Sequence, residues 1–212
     1  MRTKQNSILL ILILCSFYSY AQGNDFQFWS SLSANDKVTY KTDIFVKNGI
    51  RFRENATLLS KVFSEIKLKY KYNKKMYFSI GFRDINEWDN QLNRQQKNRY
   101  FIDLGFNKKE DRFRFSLRNR YQNQGNSIIN YSYIFRQKLS VKYNIRKTKL
   151  DPVIASEIFY TNQLKVNKLR YIFGISIPIN KDLDFDMSYL IQKQLNEPGS
   201  LFIIDGKLAY AF

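Results

Sequence analysis

From Arg112 to Gln122 the chain reads Arg-Phe-Arg-Phe-Ser-Leu-Arg-Asn-Arg-Tyr-Gln. Phe113, Phe115, Leu117 and Tyr121 fall on one parity; Arg112, Arg114, Arg118 and Arg120 fall on the other. A strand sends successive side chains to opposite faces, so this segment has an aromatic face and a cationic face. The aromatic face must be covered by apolar matter, and the arginine face must meet water or counter-charge. Few folds satisfy both demands along one strand.

The pattern recurs along the chain. Segments with the same period are Lys37–Arg53, Lys61–Tyr72, Met76–Asp84, Asn98–Phe106, Tyr131–Ile145, Leu150–Tyr160, Leu169–Ile179, Leu183–Ile191 and Leu201–Phe212. Asn48-Gly49 is a strong hairpin signal. The parity of Val46, Asn48, Ile50 and Phe52 nevertheless continues through it, so one long strand is expected there. The last segment ends Tyr210-Ala211-Phe212 and resembles the closing strand of bacterial outer-membrane barrels, in which assembly machinery reads a terminal aromatic. Its Gly-to-aromatic spacing departs from that pattern by one residue.

Residues 1–21 read as a secretory signal peptide. Arg2 and Lys4 supply the positive start, Ile8 to Phe17 the apolar centre, and Ser19 and Ala21 the small residues before a cleavage at Gln22. The apolar run is short of the ~20 residues that a spanning helix needs. Removal of the signal takes away Cys15, the only cysteine, so neither a disulfide nor thiolate chemistry is expected in the mature chain. It also lowers the net charge from +17 to +15, through loss of Arg2 and Lys4. The chain has no histidine, which removes the usual general base and the commonest transition-metal ligand. No cofactor and no metal site are expected.

Ten such segments separated by polar connections predict an all-β chain: a transmembrane, antiparallel, up-and-down β-barrel of about ten strands, with twelve as the alternative. Residues 22–36 are then a periplasmic amino-terminal segment and 37–212 the barrel. Connections such as Asn73-Lys74-Lys75 look tight, whereas Ile85–Lys97 and Gln192–Ser200 look long, which suggests periplasmic turns and extracellular loops. Aromatics gather towards both ends of the strands, as at two membrane interfaces. A secreted or periplasmic β-sandwich with the faces reversed remains the other solution.

Gly81-Phe82-Arg83-Asp84, Asn98-Arg99-Tyr100, Arg118-Asn119-Arg120-Tyr121-Gln122, Phe135-Arg136, Pro152 through Glu157-Ile158-Phe159, and Leu169-Arg170-Tyr171 with Gly174 follow in order. Their succession resembles an uncharacterised family of Gram-negative outer-membrane β-barrels, domain of unknown function 2490. The resemblance covers nearly all of the chain after the signal. It implies the barrel and the location and carries no activity.

The face opposite the apolar one defines a candidate lumen network: Glu65, Arg83, Arg99, Asp103, Arg112, Arg114, Arg118, Arg120, Arg136, Glu157, Arg170, Asp184 and Asp186. Asp103 is the first expected partner of the arginines at 112, 114, 118 and 120, and Glu157 the second. Such charges either pair and fill a narrow lumen or leave a basic path for a small anion or solute. The expected protein is non-enzymatic, a monomer in contact with outer-membrane lipid and the barrel assembly machinery, without nucleic-acid partners. Two alternatives stay open. One is a histidine-free lipid- or glycan-modifying enzyme using Asp184 with Asp186, or Asp151 with Glu157. The other is a binding module built on the Ile85–Lys97 loop and Trp88. Gly81, Gly105 and Gly174 are expected where a bulky neighbour needs room.

Overall fold

A computed structural model describes residues 24–126, 131–161, 163–196 and 199–212. The cleavage site at Ala21 and Gln22 lies outside the described residues. Eleven strands form one closed barrel: β1 Asp25–Lys37, β2 Thr42–Arg53, β3 Leu58–Lys71, β4 Met76–Trp88, β5 Arg94–Glu110, β6 Phe113–Gly125, β7 Ser132–Tyr143, β8 Asp151–Tyr160, β9 Val166–Pro178, β10 Leu183–Gln194 and β11 Ser200–Ala211. Each strand pairs antiparallel with the next, so local alternation is translated into a continuous wall with an inner and an outer face.

The strand number is eleven, between the ten expected and the alternative of twelve. The extra strand is β1, most of which the sequence had placed in a lead-in outside the wall. Its serines dilute the apolar alternation, yet Trp29 and Ser31 point inward and are buried, while Phe28 and Leu32 are exposed on the outside. In a meander with an odd number of strands, the first and last run the same way. β1 accordingly closes the barrel by pairing in parallel with β11, from Asp25↔Leu201 to Asn35↔Ala211. Closure removes both free edges, which would otherwise expose a row of unpaired backbone groups.

The barrel has an upper rim, with Asp25 and the connections 54–57, 89–93, 126–131, 161–165 and 195–199, and a lower rim with Phe212 and the connections 38–41, 72–75, 111–112, 144–150 and 179–182. Upper connections have four to six residues and lower ones two to seven, so the expected contrast between long loops and tight turns is absent. The strands simply extend further than the apolar pattern did. β4 and β5 run on to Trp88 and back from Arg94 through polar residues, leaving five residues of the expected Ile85–Lys97 loop. Asp89 organises that short connection by accepting the backbone N–H groups of Gln91 and Asn93, each at 2.9 Å. These donors, that of Asn93 foremost, hold its carboxyl below the ordinary value.

β2 runs unbroken through Asn48-Gly49. Gly49 is required for packing: a Cβ there would meet the ring of Phe63, its cross-strand partner, at 2.5 Å. Gly81 faces Phe101 and Gly105 faces Tyr77 in the same manner, with Cβ contacts of 2.2 and 2.0 Å. Gly174 lies against Ser188. Large inward rings thus lie over glycines of the neighbouring strand, which lets aromatic bodies fill the lumen beside charged side chains.

The outer face is apolar around the barrel. Val46, Leu68, Ile80, Ile102, Leu139, Ile154, Phe173, Ile175 and Met187 are among many large apolar side chains exposed there. Aromatic pairs flank this belt. Phe82–Tyr100, Tyr121–Tyr133, Phe135–Tyr160 and Tyr189–Phe202 lie in the upper half. Phe113–Tyr143 and Tyr210–Phe212 lie at the lower rim, the latter pair edge-on at 4.8 Å.

Candidate functional site: the lumen

The inner face carries the polar chemistry, and cross-strand register decides who meets whom. Asp103 on β5 is opposite Arg120 on β6. The carboxylate accepts two hydrogen bonds from the guanidinium, from Nε at 2.6 Å and Nη2 at 2.8 Å, and a third from Ser79 Oγ at 3.1 Å. Glu65 on β3 is opposite Arg83 on β4 and takes its Nε at 2.7 Å. Glu157 on β8 is the common acceptor of three arginines: Arg118 and Arg136 at one oxygen, 2.9 and 2.8 Å away, and Arg170 at the other, 3.0 Å away. Glu157 and Asp103 are almost fully buried, with exposures of 1% and 2%.

Inward rings complete these layers. Arg120 stacks on Phe101 at 3.7 Å, Arg83 on Phe63 at 4.0 Å, Arg136 and Arg170 on Phe159, and Arg51 on Trp29 at 3.7 Å. Aromatic faces attract cations, so the rings partly offset the electrostatic crowding.

Four members of the sequence-derived network stand apart from it. Arg112 belongs to the lower turn and Arg114 lies just above it; both are exposed, and Arg112 donates to the hydroxyl of Tyr143, at 3.3 Å. Asp184 is exposed near the lower end of β10, and neither it nor Asp186 forms an ion pair with an arginine among the described residues. Parity assigns a side of the wall but not a height along it, and these residues lie too low to reach the layers. Arg99 is inside, but its partner is an amide: Nε donates to Gln124 Oε1 at 2.8 Å.

The register also brings in residues that the sequence reading passed over. Asp205, buried on β11, pairs with Lys207 at 2.9 Å. Asp43 accepts Lys71 at 2.6 Å. Glu87 holds both Lys61 and Lys97 at 2.9 Å near the upper rim. Gln122 and Gln124 share the parity of Arg118 and Arg120, a signal that was present in the sequence. Trp88 lines the lumen instead of tipping a loop.

Above and beside these layers is a cavity of about 770 Å³. It reaches from Arg53, Trp88 and Gln194 at the upper rim down to Ser33 and Phe45. Twelve Lys and Arg side chains line it against two carboxylates, Glu65 and Glu87. A smaller space of about 160 Å³ shares Trp29, Lys47, Arg51 and Arg170 with it and is bounded by Glu157 and Asp205. Among the described residues, Arg51 forms no ion pair with a carboxylate, and Nε of Arg118 and of Arg136 is buried without an acceptor. No cluster of acids, histidines or cysteines capable of holding a metal ion occurs among the described residues. Asp184 and Asp186 do not line the cavity.

No curated protein matches the chain. The sequence pattern of the protein family of unknown function DUF2490 matches residues 26–201, which span β1 to the start of β11. The match takes in every lumen residue named above except Asp205 and Lys207, and the chain belongs to that family.

Proposed function

We propose that the chain is a non-enzymatic β-barrel of the outer membrane whose lumen admits small anions. The carrying observation is the cavity lining, twelve cationic side chains against two carboxylates. A low-dielectric wall focuses such an excess, raises the local concentration of anions and repels cations. The membrane part of the reading is supported by the apolar outer belt with aromatic pairs at both ends. A water-soluble monomer rarely exposes a contiguous apolar patch beyond ~600 Å², whereas lipid covers such a belt without cost. The amino-terminal signal pattern agrees with export.

The test is reconstitution of the purified barrel in a planar bilayer under a potassium chloride gradient. A reversal potential on the chloride side is the expected result. Cation selectivity, or failure of the protein to partition with outer membranes on cell fractionation, would overturn the reading. Asp184 and Asp186 line neither of the two lumen spaces described, which does not favour a catalytic role through them.

A further inference from the structure

Three arginines of the cavity are held by glutamine as well as, or instead of, carboxylate. Arg99 Nε donates to Gln124 Oε1 at 2.8 Å, Arg136 Nη1 to Gln122 Oε1 at 3.0 Å, and Arg170 Nε to Gln192 Oε1 at 3.2 Å. All six residues line the large cavity. A guanidinium offers only donors, so each amide must turn its oxygen towards the arginine and its NH₂ away. None of these three amide nitrogens donates to another group among the described residues. A glutamine carbonyl orients the guanidinium without cancelling its charge, which a glutamate at the same position would do. Glu157 cannot neutralise the cluster, because one carboxylate serves three arginines.

We infer that these Arg–Gln pairs form a binding site for a phosphate ester. The inference rests on the reading that the lumen admits anions, and it names the class of anion. With their oxygens taken up by arginine, the three pairs present only guanidinium and amide donors to the cavity, so the group they bind must be rich in acceptors and must not itself donate. The pairs come from two sectors of the wall, β5–β7 and β9–β10, and approach the cavity from different directions. A dianionic phosphate has three terminal oxygens in a tetrahedral array to receive them, whereas a carboxylate has two in one plane. Trp29 and Phe159 offer apolar surface beside the donors for the remainder of the ester. The ester can be a soluble sugar phosphate or phosphatidic acid, the lipid whose phosphate is also a monoester; the dianionic phosphate chemistry is common to both.

The experiment is calorimetric titration of the purified full barrel in detergent with glucose 6-phosphate, short-chain phosphatidic acid and acetate. At least one phosphate ester is expected to bind roughly ten-fold or more tightly than acetate. Gln122→Glu, Gln124→Glu and Gln192→Glu, nearly isosteric changes that supply the missing counter-charge, should each weaken it by roughly ten-fold. Heat-modifiable gel mobility verifies that each variant is folded. Binding of the glucose ester identifies a soluble source and binding of phosphatidic acid alone a lipid source; either outcome supports the site. Equal, weak binding of esters and acetate by a chloride-selective barrel would overturn the inference and leave the anion reading standing. Ester binding unchanged in all three variants would place the site elsewhere and overturn it too. Loss of chloride selectivity in the bilayer would remove the underlying reading itself.

Discussion

Asp103 on β5 and Arg120 on β6 are register partners joined by two hydrogen bonds, and both side chains are buried in the lumen. Removing one member leaves the other charge unpaired at a buried site, at a cost of about 3–5 kcal/mol. Asp103→Asn should therefore lower the thermal midpoint of the detergent-solubilised barrel, read as the loss of heat-modifiable gel mobility. The double change Asp103→Leu with Arg120→Met should recover much of the loss, because a packed apolar pair has no desolvation penalty. A stable Asp103→Asn single variant would contradict the pairing.

Glu157 has three arginine partners, so its loss should be felt more widely. Glu157→Gln leaves Arg118, Arg136 and Arg170 repelling one another without an acid between them. The expected drop in thermal midpoint exceeds that of Asp103→Asn. Sulfate should restore part of it, since an anion that binds only the folded barrel stabilises it by mass action. Unfolding curves of the variant with and without sulfate, at matched ionic strength, decide the matter.

Gly81 and Phe101 form a single packing unit, with the ring where a Cβ would be. The ring cannot swing away freely, because Arg120 stacks on it at 3.7 Å. Gly81→Val should destabilise by about 1–3 kcal/mol, as overpacking of a filled interior does. Phe101→Leu in the same chain should return part of that stability. Additive losses in the double variant would show that the two residues do not share the space.

The parallel β1–β11 seam sets the sidedness of the chain. Asn24 lies on the upper rim, where its Oδ1 accepts the backbone N–H of Ser200, whereas Lys74 lies in a lower turn. In a Cys15→Ser background reconstituted in vesicles, cysteines at Asn24 and Asn93 should react with an impermeant maleimide from the same side. A cysteine at Lys74 should react from the other. Labelling of Asn24 together with Lys74 would mean that β1 does not cross the wall.

Much of this architecture is legible locally. Side-chain direction in a strand depends on residue parity alone, so the arginine and aromatic faces of Arg112–Gln122 and the unbroken strand through Asn48-Gly49 follow from neighbouring residues. The glycines opposite Phe101 and Tyr77 follow from the same alternation once neighbouring strands pair. Height along the barrel, pairing across it and closure are properties of distant segments. Parity placed Arg112, Arg114, Asp184 and Asp186 with the lumen set, but register leaves them at the lower rim. Only the meeting of β1 with β11, whose register partners are 176 residues apart in sequence, makes a serine-diluted segment into a wall strand and the strand number odd. The choice of Glu157 as acceptor for three arginines, and of Gln122, Gln124 and Gln192 as neutral holders of Arg136, Arg99 and Arg170, was likewise made by the tertiary structure. Those contacts depend on which strands lie side by side and at what offset, and the two-residue repeat of a single strand carries no information about either.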